Sequence, residues 1–169
     1  MTEDLATLRQ RYPTAVTFRF GDSAALCADL IALVRAGHKT ATCGAMRDYE
    51  PGVSLPEVGR HDIALTWEGR PALVIQTLEL IPCRFDEVTE AMALAEGEDE
   101  TLQGWQTSHR AYFARTGGFA PDMPVLWERF ALERMETHGC SRCSGCPYAT
   151  LCRWSGRQTA PLHCCRSSG

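Results

Sequence analysis

The chain has 169 residues, 44% of them hydrophobic, and a formal net charge of −4, a size that suits one domain with a short extension. Four arginines and no acid lie between Thr137 and Gly169, so residues 1–136 carry 13 bases against 21 acids, a net −8; a body this acidic is a poor non-specific binder of long phosphate backbones. No run approaches the roughly 20 apolar residues of a membrane span, "MTEDLATLRQRYPT" lacks a signal-like apolar core, and the protein is expected in the cytoplasm.

In chain order, a short helix is predicted from about Glu3 to Gln10. The β-branched and aromatic "TAVTFRF" follows as a strand. "GDSAALCADLIALVRAGHK" then reads as the best helix of the chain. Asp22 or Ser23 can cap its start, Leu26, Leu30, Leu33 and Val34 share one face, and Gly37 stands at the expected stop. That helix delivers Lys39 onto a predicted strand, "KTATC". After the Pro/Gly-punctuated loop "YEPGVSLPEVG", "HDIALTW" and "PALVIQTLEL" form a hairpin turning at "EGR". "FDEVTEAMALAEG" and "TLQGWQTSHRAYFAR" are predicted helices on either side of an acidic turn, and "PVLWERFAL" is the closing strand. Strands with helices inserted between them predict an α+β fold on a small, mostly antiparallel sheet or barrel.

Lys39 is the only lysine; the other basic residues are arginines. A cation after a helix end can simply answer the helix dipole. Arginine would do that equally well, whereas chemistry that needs a compact amine able to lose its proton on burial cannot use a guanidinium.

The stretch "FRFGDSAALCADLIALVRAGHKTATCGAMRDYE", with "LPEVGRHDIAL", "FDEVTEAMALAEGEDETLQGWQTSHRAYF" and "FAPDMPVLWERFAL", resembles the ASCH-domain family in its longer bacterial branch. The family's G-x-K-x-x-[ST] motif stands here as Gly37-His38-Lys39-Thr40-Ala41-Thr42. The resemblance implies a PUA-like small β-barrel with flanking helices over residues 1–134 and a separate extension over 135–169. It also implies two kinds of activity. Short ASCH proteins include amidohydrolases that deacetylate N4-acetylcytidine with a lysine, a threonine and a glutamate, which fall here on Lys39, Thr42 and Glu96. A long-branch member is a ribonuclease on single-stranded RNA, and others are non-catalytic RNA-binding regulators. The domain is expected to need no cofactor.

For the amidohydrolase reading, the weakly nucleophilic Thr42 hydroxyl needs a base, which a neutral Lys39 would supply. The two residues are three apart, so a straight strand would point them to opposite faces, and a bulge or the helix end must bring them together. Glu96 would orient the lysine or protonate the leaving amine. The bland reading of "AEGEDE" is an exposed acidic loop. An enzyme should hold Lys39, Thr42 and Glu96 within hydrogen-bond reach in a concave pocket; a purely structural domain should leave Lys39 solvated.

In the ribonuclease reading, Tyr49, Ser108, His109 and Arg110 are candidate substrate contacts, with histidine titrating near neutrality. A helix packing face with Trp105, Tyr112 and Phe113 is the structural alternative. Either way the expected partner is a nucleoside or single-stranded RNA, and no membrane.

Six of the nine cysteines fall in the last thirty residues. "CSRCSGCPYATLC" places Cys140, Cys143, Cys146 and Cys152 in a C-x2-C-x2-C-x5-C run, a spacing that converges thiolates on one metal. Three such cysteines and a fourth also hold many [4Fe–4S] clusters. Zinc is the competing metal, with His138, His163, Cys164 and Cys165 available to complete a site; the remaining alternative is an unstructured tail of reduced thiols.

Overall fold

The computed structural model describes residues 3–49 and 52–133. The cysteine run from Cys140 to Cys152, and the metal or cluster expected there, fall outside the described residues. Helix α1 (Leu5–Arg11) leads to strand β1 (Thr17–Phe18) and helix α2 (Ala24–Ala36). Strand β2 (Ala41–Ala45), a 3-10 turn (Met46–Tyr49) and the hairpin of β3 (His61–Leu65) and β4 (Pro71–Arg84) follow. Helices α3 (Glu90–Glu96) and α4 (Leu102–Thr116) precede the closing strand β5 (Pro124–Leu132).

The five strands form one sheet in the order β1-β3-β4-β5-β2. Among the described residues only β1 with β3 is a parallel pair; the other ladders are antiparallel. The long β4 serves two partners, pairing with β3 near its start and with β5 from Ile75 onward. Its ladder to β5 slips between Thr77 and Glu79, an extra residue that bends the strand. The parallel β1 is shorter than its β-branched sequence predicts. It sits at the sheet edge, and Val16 just before it spends its N–H on the Asp62 carboxylate at 2.7 Å.

Two apolar layers flank the sheet. On one side Phe85, Trp105, Phe113, Val125 and Trp127 pack with Ala41, Cys43 and Ala45 of β2. On the other, α2 lays Cys27, Leu30, Ile31 and Val34, an i, i+3, i+4, i+7 stripe, against Leu73, Ile75 and Phe130. A smaller cluster puts Leu8 of α1 on Ile63 and Val74.

Two helix ends set the position of Lys39. Ser23 caps the start of α2 by accepting from the Leu26 N–H, and Gly37 ends it at φ 76°. The N–H groups of His38 and Lys39 then both return to the Leu33 carbonyl, at 3.0 and 3.2 Å, which pins the chain just past the helix. Helix α3 ends on Gly97 at φ 68°. Its last turn covers the edge of the sheet: the Thr40 N–H and hydroxyl both donate to the Ala95 carbonyl, at 2.9 and 3.1 Å. An orphan helix carbonyl and an open strand edge thus satisfy each other. None of the helices among the described residues is long and apolar enough to cross a membrane.

Candidate active site around Lys39

Lys39 is 1% exposed, which removes the reading of a solvated cation at a helix end. Its ammonium lies 3.4 Å from Glu96 Oε2 and 2.5 Å from Glu98 Oε1, with the Phe20 ring centroid at 5.9 Å. Glu96 comes from the last residue of α3 and is 0% exposed, so "AEGEDE" is not simply a solvated acidic loop. Its second oxygen accepts from the Trp105 indole N–H at 2.9 Å. Helix α4 supplies Trp105, His109 and Phe113 from one buried stripe at i, i+4 and i+8.

His109 Nδ1 lies 3.1 Å from the Trp105 carbonyl and Nε2 lies 3.5 Å from Glu96 Oε2. Both ring nitrogens therefore face oxygen atoms. The ring is held flat by stacking on Trp105 at 4.1 Å between centroids, and Trp105 stacks in turn on Phe85 at 5.1 Å. Aromatic planes thus keep water out of the ion pairs and fix the histidine's orientation.

Burial would push the Glu96 carboxyl up, but Lys39, His109 and the Trp105 indole outweigh it and hold the group below the ordinary carboxylate value of 4.5. A carboxyl whose folded pKa is depressed contributes stability above its unfolded value and loses it as pH falls through the folded one. Wild-type stability is therefore expected to exceed that of Glu96→Gln at pH 7, and the gap to close as pH drops from 5 toward 3. Urea melts at several pH values measure this; a gap that does not change with pH would remove Glu96 from the charge balance.

Glu96, Glu98 and His109 place ligand atoms within 4.8 Å of one another, the donor set of a small metal site. The Lys39 ammonium already stands against both carboxylates. The cation this acidic nest needs is supplied by the chain itself.

Thr42 lies elsewhere. It follows Ala41 on β2 and pairs with Glu128 of β5, while Ala41 and Cys43 on either side face the Trp105 layer. No hydrogen bond joins Thr42 to Lys39 among the described residues. On the Thr42 face, Glu128 is 8% exposed and its Oε1 accepts from the Thr77 hydroxyl at 2.6 Å. Burial raises the Glu128 carboxyl, the Thr77 bond lowers it in part, and the neighbouring Asp62 raises it further. Tyr49 lies over Gly44: a Cβ built on that glycine would stand 3.0 Å from the Tyr49 hydroxyl. Burial, with the Glu128 charge next in weight, pushes the phenol up to about 12.

The other candidate contacts divide. His109 joins the Lys39 cluster. Ser108 bonds its own helix and Asp99 at 2.6 Å, and the Arg110 guanidinium lies 5.2 Å from the Phe119 ring centroid. Two surface cavities, of about 410 and 210 Å³, are lined by residues that include Val16, Glu57 and Arg60 in one and Cys27, Arg35 and Trp67 in the other. Neither includes Lys39, Thr42 or Glu96; the Lys39 cluster is buried, with Glu98, its side chain 21% exposed, as its most exposed carboxylate.

Sequence reading missed Glu98 as a direct partner of the lysine, Trp105 as the donor to Glu96, and Glu128 altogether. Glu128 had a signal: it is a charge at the same parity as Leu126 and Phe130 on a half-buried strand.

The five-stranded α+β sheet, with helices packed over its edge strand, fits a PUA-like domain. The ASCH domain family model matches residues 16–134, and the chain belongs to that family. Among solved structures it is similar to the ASCH domain from Lactobacillus crispatus, with 26% identity over 75% of this chain and 84% of that one and a TM-score of 0.66. A protein from Enterococcus faecalis is 28% identical over 76% of this chain and 84% of its own, with a TM-score of 0.65. Comparison with the curated proteins gives no significant match.

Proposed function

We propose that this ASCH domain is a hydrolase that removes an acyl group from the exocyclic amine of a modified cytosine nucleoside. The observation that carries the reading is the burial of the chain's one lysine among Glu96, Glu98 and His109. A fully desolvated ion-pair nest costs stability unless every member is paired, so a chain that keeps one uses it or is held together by it. In the reaction, the Thr42 oxygen attacks the amide carbonyl and its proton passes to a base. The C–N bond then breaks, the nucleoside amine leaves with a proton, and water hydrolyses the acyl-threonine to release the carboxylic acid and regenerate the hydroxyl. Lys39 is assigned the base, in the form it takes once its ammonium has passed a proton to solvent on substrate entry, and Glu96 the carboxylate that orients it. Because Lys39 bonds the carboxylates rather than Thr42 in this structure, the assignment requires the amine to swing toward Thr42 when substrate enters beside Glu98.

The acidic body favours an uncharged nucleoside over a long polyanion. The test is release of acetate and cytidine from N4-acetylcytidine by the purified protein. Thr42→Val, which keeps the shape and removes the hydroxyl, is expected to leave under about 1% of wild-type turnover if the acyl group passes through that oxygen. Turnover by wild type and not by Thr42→Val supports the mechanism. Absence of turnover by the wild type defeats it and turns the search to single-stranded RNA, as substrate or as ligand.

A further inference from the structure

Beyond the Lys39 nest, the opposite face of β2 gathers polar atoms that the protein leaves free. The Thr42 hydroxyl, the Tyr49 hydroxyl and Glu128 Oε2 have no hydrogen-bond partner among the described residues. Thr42 and Tyr49 are partly exposed, and Glu128 is 8% exposed. Their positions follow from the ladder. Thr42 stands directly across from Glu128, which puts the two Cβ atoms roughly 5 Å apart. Gly44, on the same face two residues along, has no side chain, and the Tyr49 ring lies in that space.

Glu128 is also held in one orientation. Its Oε1 is engaged by the Thr77 hydroxyl at 2.6 Å, and Thr77 is itself 1% exposed on the neighbouring β4. Oε2 is left as the other end of a fixed, buried carboxyl. Arg60, the cation whose field reaches Glu128, is committed to Asp62 through contacts of 2.8 and 2.9 Å. Arg60 is therefore not free to attract phosphate. The face offers one acceptor and two hydroxyls at neighbouring positions.

We infer that Glu128, with Thr42 and Tyr49, forms the subsite that reads the polar edge of an uncharged, N–H-bearing ring such as cytosine, the Glu128 oxygen accepting from the ring's amino group. A fixed carboxylate oxygen pairs with the amino group of cytosine and repels the carbonyl that uracil carries at the same place. This inference rests on the proposed function for its choice of ring but not for its test. Glu128 is a specificity residue here, and Thr42, one strand away, is the oxygen that the bound ring presents its substituent to.

The experiment is a calorimetric titration of cytidine and of uridine into the full chain, wild type and Glu128→Gln, with thermal melts of both proteins. In the variant the Thr77 hydroxyl keeps its amide oxygen as acceptor, so the free end becomes an NH₂ donor and the match to an amino group is inverted. Expected is cytidine binding to wild type, at least tenfold weaker binding to Glu128→Gln, weaker binding of uridine to wild type, and a melting temperature for the variant no lower than wild type. Cytidine affinity unchanged in Glu128→Gln, equal affinity for uridine, or no cytidine binding to the wild type would each overturn the subsite. Failure of the two readings is separable. Glu128-dependent cytidine binding without hydrolysis of N4-acetylcytidine leaves the subsite standing and removes the reaction. Hydrolysis with an unchanged KM in Glu128→Gln does the reverse.

Discussion

Lys39→Arg is expected to leave less than about 1% of wild-type turnover on N4-acetylcytidine, although it preserves the charge. Loss of a positioned general base costs roughly 10²–10⁴ in rate, and a guanidinium cannot give up its proton. The steric effect acts in the same direction. The Lys39 side chain is 0% exposed, and its ammonium already touches two carboxylates, so a larger planar head must displace one of them. Lys39→Met tests the electrostatics separately. It fills similar volume but leaves Glu96 and Glu98 without their cation, and removal of one partner from a buried pair costs about 3–5 kcal/mol. The cost should shrink when Glu96→Gln is added, because the orphaned charge is then gone. A double-mutant cycle by urea unfolding reads that coupling, and single losses that simply add would mean that the two residues do not form the pair described. Turnover by Lys39→Arg near the wild-type level would take Lys39 out of the reaction.

Gly97→Ala is expected to destabilise the domain by about 2–4 kcal/mol, the sum of a left-handed backbone penalty and overpacking against main chain. Gly97 has φ +68°, and a Cβ built there would stand 2.2 Å from the His38 carbonyl oxygen and 3.1 Å from the Lys39 nitrogen. These are backbone atoms, so no side chain can swing aside. The glycine is the place where the end of α3 passes over the end of α2, and that close approach brings Glu96 to Lys39. Gly37→Ala is the control: its φ is +76°, but nothing lies within 4 Å of the added carbon, so only about 1 kcal/mol is expected. Equal losses for the two variants, measured by denaturant melts, would show that the contact with His38 carries no strain. Because Gly97→Ala moves Glu96 relative to Lys39, turnover should fall along with stability, whereas Gly37→Ala should lose stability with little loss of turnover.

Local chemistry made much of the chain legible. Helix α2 follows from its Ser23 cap, its apolar stripe and Gly37, and β3, β4 and β5 follow from β-branched runs separated by turn residues. The prediction weakened where partners decide. The strand expected over "TAVTFRF" shrinks to Thr17–Phe18 at the edge of the sheet, while β4 runs on to Arg84 because β5 pairs with its far half. The candidate contacts Ser108, His109 and Arg110 are consecutive in sequence. On α4 they point 100° apart, so only His109 faces Glu96.

The sequence by itself determined the family, through Gly37-His38-Lys39-Thr40-Ala41-Thr42 and the segments around it, and with the family the α+β fold. It also marked Lys39, since a lone lysine among arginines is visible without coordinates. Only the tertiary structure decided what surrounds that lysine. Glu96 and Glu98 are 57 and 59 residues away in the chain, and their approach depends on one glycine crossing. The two-residue period of β2 likewise decided that Thr42 looks toward Glu128, 86 residues on, rather than toward its neighbour in the motif. Spacing along a chain constrains residues a turn or a strand apart; the placement of a charge against another from a distant element is settled by packing, which no short motif encodes.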